Sequence, residues 1–443
     1  VRRLATALAL LGGCAACASP GGGTSPAPTP DGAASSDSVT FLDAAPPDVP
    51  PDIPAVPPPR PVGLTHHGLD GNRYAEGQGA MSAGVSPTTV SVPGTLTWAA
   101  GVLGGDGHPV WMLVDADGLA TLIRQDGGSL TAEAFSANLA PGQPPAFEIA
   151  SDGSVNLWSK ALDSGLTHPV DVTGSGSLVF VDRDGLVSGP GMPDDVPALP
   201  DARILAAGDE VLFLGDPTSR YSHAVLGDGL EAEAIVWVAD GVARKALIPA
   251  PQVIESIAPL WVDLDGDGSR EVIVTVSDSG AGARLRVYGA DGEQLAEGPP
   301  VGQGFRWRHQ LAVAPFGPDG ALEIAVVKTP HIGGVAEFYR YTTGSADLAL
   351  VGERPGYTSH TINSRNLDNG LAADVDGDGV VELLVPNFNL DALCALSRPD
   401  ADSVAEDFCV PTPAKQRANM AAVTDGAGRL WVGVPYEGGF AVY

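Results

Sequence analysis

Two nine-residue segments constrain this chain more than any other feature. Asp263–Glu271 and Asp374–Glu382 both read D-x-D-G-D-G-x-x-E, and each runs straight into an apolar, strand-forming stretch, Val272–Val276 and Leu383–Val385. Side-chain oxygens at loop positions 1, 3, 5 and 9, with a backbone carbonyl at position 7, can surround one hard cation. Calcium fits such a set, because it accepts six to eight oxygens in loose geometry. The candidate ligands are Asp263, Asp265, Asp267, Ser269 and Glu271 in the first loop, and Asp374, Asp376, Asp378, Val380 and Glu382 in the second. Glycines at positions 4 and 6 let the backbone fold the carboxylates inward. Without a cation the clustered carboxylates repel one another, so metal is expected to order each loop. An EF-hand loop would place Glu at position 12 between two helices. Position 12 is Val274 in one loop and Val385 in the other, both inside β-favouring runs. The expectation is two strand–loop–strand Ca2+ sites. The alternative reading of the same residues is an acidic hairpin, since Asp-Gly is a strong turn signal.

The two loops resemble the calcium loops of FG-GAP and VCBS repeats, as in the integrin α β-propeller and many bacterial surface proteins. The match covers residues 257–280 and 368–390. The resemblance implies a propeller in which each loop joins the first two strands of a blade. It implies no catalytic activity.

Aligning the rest of the chain on the Asp-Gly of loop positions 5 and 6 reveals weaker copies. Asp106-Gly107, Asp152-Gly153, Asp319-Gly320 and Asp425-Gly426 each precede an apolar run, and Ile204–Leu214 carries two strands with a shortened turn. Seven units result, starting near residues 95, 145, 202, 257, 308, 370 and 419. Their spacing of ~50–60 residues suits four-stranded blades. The expected fold is therefore an all-β propeller of four-stranded blades, with seven blades preferred and six or eight as alternatives. The seventh unit is too short for four strands before the chain stops at Tyr443. Residues 85–93 are expected to supply its outer strand, with Val90 and Val92 inward and Thr89 and Ser91 outward. In the fifth unit, Pro315 and Gly317 replace the first two carboxylates and leave only Asp319 and Glu323. Calcium is expected in the fourth and sixth units alone.

The chain opens on Val1-Arg2-Arg3, an apolar run Leu4–Leu11, and Gly12-Gly13-Cys14. A basic tip followed by a short apolar run reads as a secretory signal. Leu11–Cys14 resembles the lipobox of bacterial lipoproteins, which implies acylation of Cys14. Ordinary cleavage near Ala18 is the alternative. Residues 1–18 are assigned to this signal, 19–62 to a Pro/Ala/Ser-rich disordered tether, and 63–443 to the propeller. The expected location is the bacterial cell envelope, anchored by lipid to the outer membrane or cell surface, with Ala15 after the cysteine favouring the outer membrane by family analogy. A formal net charge of −30 repels phosphate backbones, so no nucleic-acid partner is expected. A monomer is expected. Of four cysteines, Cys394 and Cys409 sit in two apolar stretches, where an oxidising compartment would join them in a disulfide; two buried free thiols are the alternative. Cys17 has no evident partner.

No G-x-S-x-G, P-loop or H-E-x-x-H motif is present. The most unusual cluster is Phe305-Arg306-Trp307-Arg308-His309, of residue types common in binding anchors; an exposed loop or strand edge reads it equally well. His223, His309 and His360 precede strands or loops in their units, and the polar stretch Tyr357–Asn366 is placed to line one face of a ring. Two function classes remain. One is a binding module for protein or glycan ligands. The other is a polysaccharide-active enzyme, a lyase or hydrolase, on a calcium-bearing propeller.

Overall fold

Short apolar runs punctuated by Asp-Gly turns pair with their sequence neighbours, and antiparallel sheets follow directly. The computed structural model describes residues 66, 68–126, 128–150, 152–158, 166, 168–172 and 178–443. The signal and tether assignments, with Cys14 and Cys17, lie outside these residues.

Leu96–Leu103, Pro109–Asp115, Leu119–Asp126 and Ser129–Asn138 form one four-stranded meander. Next come a two-stranded sheet, Phe147–Ile149 with Val155–Leu157, and a three-stranded one, Val170–Asp171, Leu178–Val181 and Val187–Ser188. Leu205–Ala207, Glu210–Thr218, Glu231–Ala239 and Val242–Leu247 then form a meander. The short strand Val253–Ile254 links it to Leu260–Val262, Glu271–Ser277, Arg284–Tyr288 and Gln294–Glu297. Two further meanders run Arg308–Ala314, Glu323–Lys328, Val335–Arg340, Ala349–Pro355 and Leu371–Asp374, Glu382–Pro386, Ala392–Ser397, Ala405–Pro411. The last is Ala421–Thr424, Leu430–Tyr436 and Gly439–Val442. No α-helix occurs among the described residues. This is an all-β propeller.

Closure follows the sequence reading. Thr88–Ser91 adds antiparallel to Gly439–Val442, with Val90 opposite Phe440. Thr89 and Ser91 face out, Val90 is half-buried and Val92 is buried. An otherwise open edge beside the first meander is thereby capped. Adjacent sheets pack face to face: Ala325, Val327 and Phe338 of one meet Leu383, Val385 and Leu396 of the next. Each such large side chain contributes about 1.5–3 kcal/mol of burial. Cys394 and Cys409 lie directly opposite on neighbouring strands, with sulfurs 2.02 Å apart.

One feature has no counterpart in the sequence reading. Residues upstream of Thr88 run along the first strands of successive sheets. Leu69 O accepts from Ala206 N (2.8 Å) and Asp70 O from Trp261 N (2.9 Å). The Asn72 amide exchanges two bonds with the Val313 backbone (2.8 and 2.9 Å). Arg73 O accepts from Ala372 N (2.8 Å), and Gln78 N donates to Gly428 O (2.9 Å). Tyr74–Gln78 adds as a parallel strand to Leu371–Asp374. Gly71 is required here: its φ is +79°, and a Cβ would lie 2.4 Å from Pro259 O. The fully buried Arg73 is held by Asp368 (2.8 Å), which also accepts from Arg203 (2.7 Å). Removing one member of such a buried set strands the others, at about 3–5 kcal/mol.

Candidate functional site

Both acidic loops fold the same way. Asp263 accepts from Gly266 N (2.7 Å) and Gly268 N (3.0 Å), and Glu271 accepts from Leu264 N (2.8 Å). Asp374 accepts from Gly377 N (2.7 Å) and Gly379 N (3.1 Å), and Glu382 from Val375 N (2.9 Å). The four loop glycines all have φ between 76° and 91°, which side chains disfavour. Carboxylate oxygens of Asp263, Asp265 and Glu271 lie within 4.8 Å of one another, as do those of Asp374, Asp376 and Glu382. The carboxylates at loop position 5 make local turns. Asp267 caps Ser269 N (2.6 Å) and Asp378 caps Val380 N (2.8 Å), so neither carboxylate joins its gathered three. A short side chain two residues ahead of a free N–H closes an Asx turn more readily than it reaches inward.

Gathering carboxylates in partly buried loops disfavours their ionisation. Burial, then Asp376, Asp378 and Asp374, pushes Glu382 up to about 8. Glu271 is raised by burial and by Asp265, Asp263 and Asp267 in the same way, and Asp376 is raised chiefly by burial. Among the described residues no lysine or arginine pairs with any of these six carboxylates. The fifth unit differs at the equivalent place. There Arg340 donates to Asp319 (3.2 Å) and to the fully buried Glu323 (2.7 Å), and Arg398 donates to Glu323 (3.0 Å). In this unit a guanidinium bridges the two remaining carboxylates.

The loops lie where first strands end. Segments leading into first strands, and turns between second and third strands, gather at the other end of the sheets. Glu255, fully buried, binds His223 Nδ1 (2.5 Å) and the Ser277 hydroxyl (2.5 Å). Phe305 stacks on His223 at 5.3 Å. Trp307 donates to Glu255 O (2.8 Å) and is stacked against His309 at 4.9 Å and His331 at 5.9 Å. His309 Nδ1 meets the Ser359 hydroxyl at 2.8 Å. His360 Nε2 faces Ser364 O at 2.8 Å, and a carbonyl only accepts, so that nitrogen carries the proton. His360 Nδ1 is then the acceptor for His331 Nε2–H, 2.8 Å away. Burial holds both rings neutral, His331 at about 4 and His360 at about 3.

The cluster read from sequence as a binding edge therefore divides. Phe305 and Arg306 are exposed, whereas Trp307, Arg308 and His309 are buried, with Arg308 bound to Glu337 (2.9 Å). Of Tyr357–Asn366, only Thr361, Ile362 and Asn363 are fully exposed. Glu255 and Glu231 were not singled out by sequence. Glu231 is 2% exposed, and burial, then Glu255, raises it well above the usual carboxylate range. The one available signal was a lone glutamate inside the apolar run Val253–Ile257.

No protein-family model matches the chain, and no curated protein does. Among solved structures, a europium-containing methanol dehydrogenase is similar at 11% identity and TM-score 0.48, over 86% of this chain and 90% of that one. BBS1N in complex with ARL6DN is similar at 10% identity and TM-score 0.40, over 83% of this chain and 96% of that one. Neither likeness bears on function, and the fold assignment rests on the strand pairings above.

Proposed function

We propose that the chain is a calcium-binding interaction module, a seven-bladed propeller held by lipid at Cys14 in the bacterial cell envelope, with a protein or glycan ligand. In the blade count, the two short sheets between Phe147 and Ser188 together make the second blade. The calcium reading rests on one observation: each loop gathers three carboxylates with no protein cation, where the fifth unit supplies Arg340. A divalent ion replaces that arginine in the fourth and sixth units. Sites of the extracellular type bind at about 10⁻⁴–10⁻³ M. Calcium at ten times its dissociation constant then adds about 1.4 kcal/mol per site. Calorimetry on chelator-stripped protein is expected to show two sites, with Asp265→Ala and Asp376→Ala each removing one. Absence of any heat would refute the calcium reading.

A second reading is supported by the His223–Glu255 pair. A buried carboxylate on Nδ1 orients the imidazole, and the His223 side chain is 21% exposed, so Nε2 can exchange a proton with a bound substrate. This is the arrangement a polysaccharide lyase or hydrolase would use. Turnover of uronic-acid polymers that disappears in His223→Ala would favour the enzyme over the binding module.

A further inference from the structure

A cleft of ≈ 320 Å³ opens at the end of the ring away from the acidic loops, walled by Thr95–Thr97, Thr361–Ser364, Asn366, Asn369, Leu390 and Gln416–Asn419. We infer that it is a binding subsite for an uncharged sugar residue, so that the ligand of the module is a neutral glycan; this rests on the binding-module reading above.

The donor set carries the inference. No carboxylate lines the cleft, although the chain has 54 acidic residues. Its one charged side chain, Arg417, is already bound to Glu437 at 2.9 Å. What remains is amide, hydroxyl and aliphatic. Gln416 is 3% exposed, and its Nε2 donates to Asn369 Oδ1 (2.5 Å) and Ala418 O (3.1 Å). Both amide hydrogens are thus committed, the orientation of the amide is fixed, and the buried Gln416 Oε1 has no donor. Asn369 shows the complement: its Oδ1 is taken by Gln416, and its Nδ2 has donors to give. An acceptor beside a donor suits neighbouring hydroxyls, each of which donates and accepts. A buried acceptor left unmet costs about 1–3 kcal/mol, which a ligand hydroxyl would recover. Leu96, Ile362 and Leu390 supply aliphatic wall for the C–H face of a sugar ring.

The backbone of the cleft is strained as well. Asn363 and Leu390, both in the cleft lining, have φ of 67° and 62°. For leucine this is a true outlier, and such strain persists where the surroundings enforce it, often at ligand sites. The volume lies at the small end of ligand pockets, which run from about 300 to 1,000 Å³. That fits one or two sugar rings at the end of a chain. A net charge of −30 further disfavours acidic sugars at long range.

The test uses the calcium-loaded protein and a glycan array holding neutral hexose and N-acetylhexosamine oligomers, oligogalacturonates and acidic and neutral peptides. Hits are followed by calorimetry on wild type, on Ile362→Ala/Asn363→Gly and on Gln416→Glu. The double variant alters exposed residues only, so its melting temperature is expected to stay put while affinity for neutral oligomers falls at least tenfold. Neutral-glycan binding with that loss supports the inference. Neutral-glycan binding unchanged in both variants overturns the cleft assignment, and binding confined to acidic glycans or peptides overturns the ligand class; both outcomes leave the module reading standing. No binding to any probe, with two calcium ions still bound, overturns the inference and the ligand-binding reading together.

Discussion

The two ends of this propeller solve the problem of burying polar groups in opposite ways. At the end where first strands stop, the solution is local and repeated. Loop residues within nine positions of one another fold over themselves, and the carboxylates they collect are met by Arg340 in the fifth unit, whereas in the fourth and sixth three carboxylates gather, the site of the calcium proposed above. At the end where first strands start, the solution is non-local. Glu255 meets His223 and Ser277, His309 meets Ser359, Asn366 meets Asn419, and Arg73 meets Asp368. Every one of those pairs joins residues more than twenty positions apart. A local device can be lost from one repeat without disturbing the next. A non-local one is shared, and it fixes how the sheets are arranged around the axis.

The largest effect is expected from the segment that serves both ends. His66 meets Gly370 O (2.7 Å) and Met420 O (2.9 Å) where first strands begin. Gly79 N donates to Asp374 O (2.8 Å) at the base of the second acidic loop. Deleting residues 63–93 removes this axial filler and the closing strand Thr88–Ser91. It also removes Arg73 from the buried set it forms with Asp368 and Arg203. The expected outcome in differential scanning calorimetry is loss of the cooperative transition, while deleting 19–60 leaves the melting temperature nearly unchanged. Equal tolerance of the two deletions would mean that the two ends are held together without the filler.

A smaller effect separates the two kinds of acidic loop. Arg340→Met leaves Glu323 fully buried with Arg398 as its remaining cation. A cost of about 2–3 kcal/mol follows from losing a charge-assisted pair at a buried carboxylate. Calcium does not rescue it, because positions 1 and 3 of that loop, Pro315 and Gly317, offer no carboxylate. Urea melts of the variant with and without calcium check this. A calcium-dependent recovery above the wild-type increment would show that any two carboxylates at this end suffice for metal, and the contrast drawn above would collapse.

The same contrast explains what was legible in the sequence. The acidic loops, the unit starts and the closing strand were readable because their signals are short-range: Asp-Gly turns, alternation of Val90 and Val92 with Thr89 and Ser91, and β-branched runs. The path of residues 66–78 along the axis was not readable. Gly68-Leu69-Asp70-Gly71-Asn72-Arg73 has no periodicity, and the partners of this segment and its flanking His66 and Gln78 lie between 137 and 354 positions downstream at Ala206, Trp261, Val313, Asp368, Ala372, Met420 and Gly428. The histidine–tryptophan stack failed for a related reason. Trp307 and His309 looked like surface anchors because spacing cannot tell which side of a first strand faces a neighbouring sheet. The histidines packed on Trp307 (His309, His331 and His360) lie on three separate segments. At position 5 of the acidic loops the ligand pattern did not report the competing backbone N–H two residues on, which Asp267 and Asp378 each cap with one oxygen.

The smallest expected effect is a difference in acid sensitivity between the ends. In the unfolded chain a histidine titrates near 6.5, whereas in the fold burial lowers His331 to about 4 and His360 to about 3. Below 6.5 the unfolded state therefore binds more protons than the folded state. Stability from this pair is fully present above 6.5 and is lost as pH falls toward 4. Protonating His360 at Nδ1 also puts a second hydrogen into the His331–His360 contact, where that nitrogen must accept. His331→Gln keeps a donor for that nitrogen and removes one titrating group. Its stability at pH 4.5, relative to its own value at pH 7, should exceed that of wild type by about 1 kcal/mol, the full linkage value of about 2 being reduced by solvent screening of a partly exposed ring. Saturating calcium should leave this difference untouched, since the loops lie at the other end of the strands. Chemical denaturation of both proteins at pH 7, 5.5 and 4.5, with and without calcium, measures it. An identical pH dependence in wild type and His331→Gln would show that this histidine is not the source of the acid sensitivity.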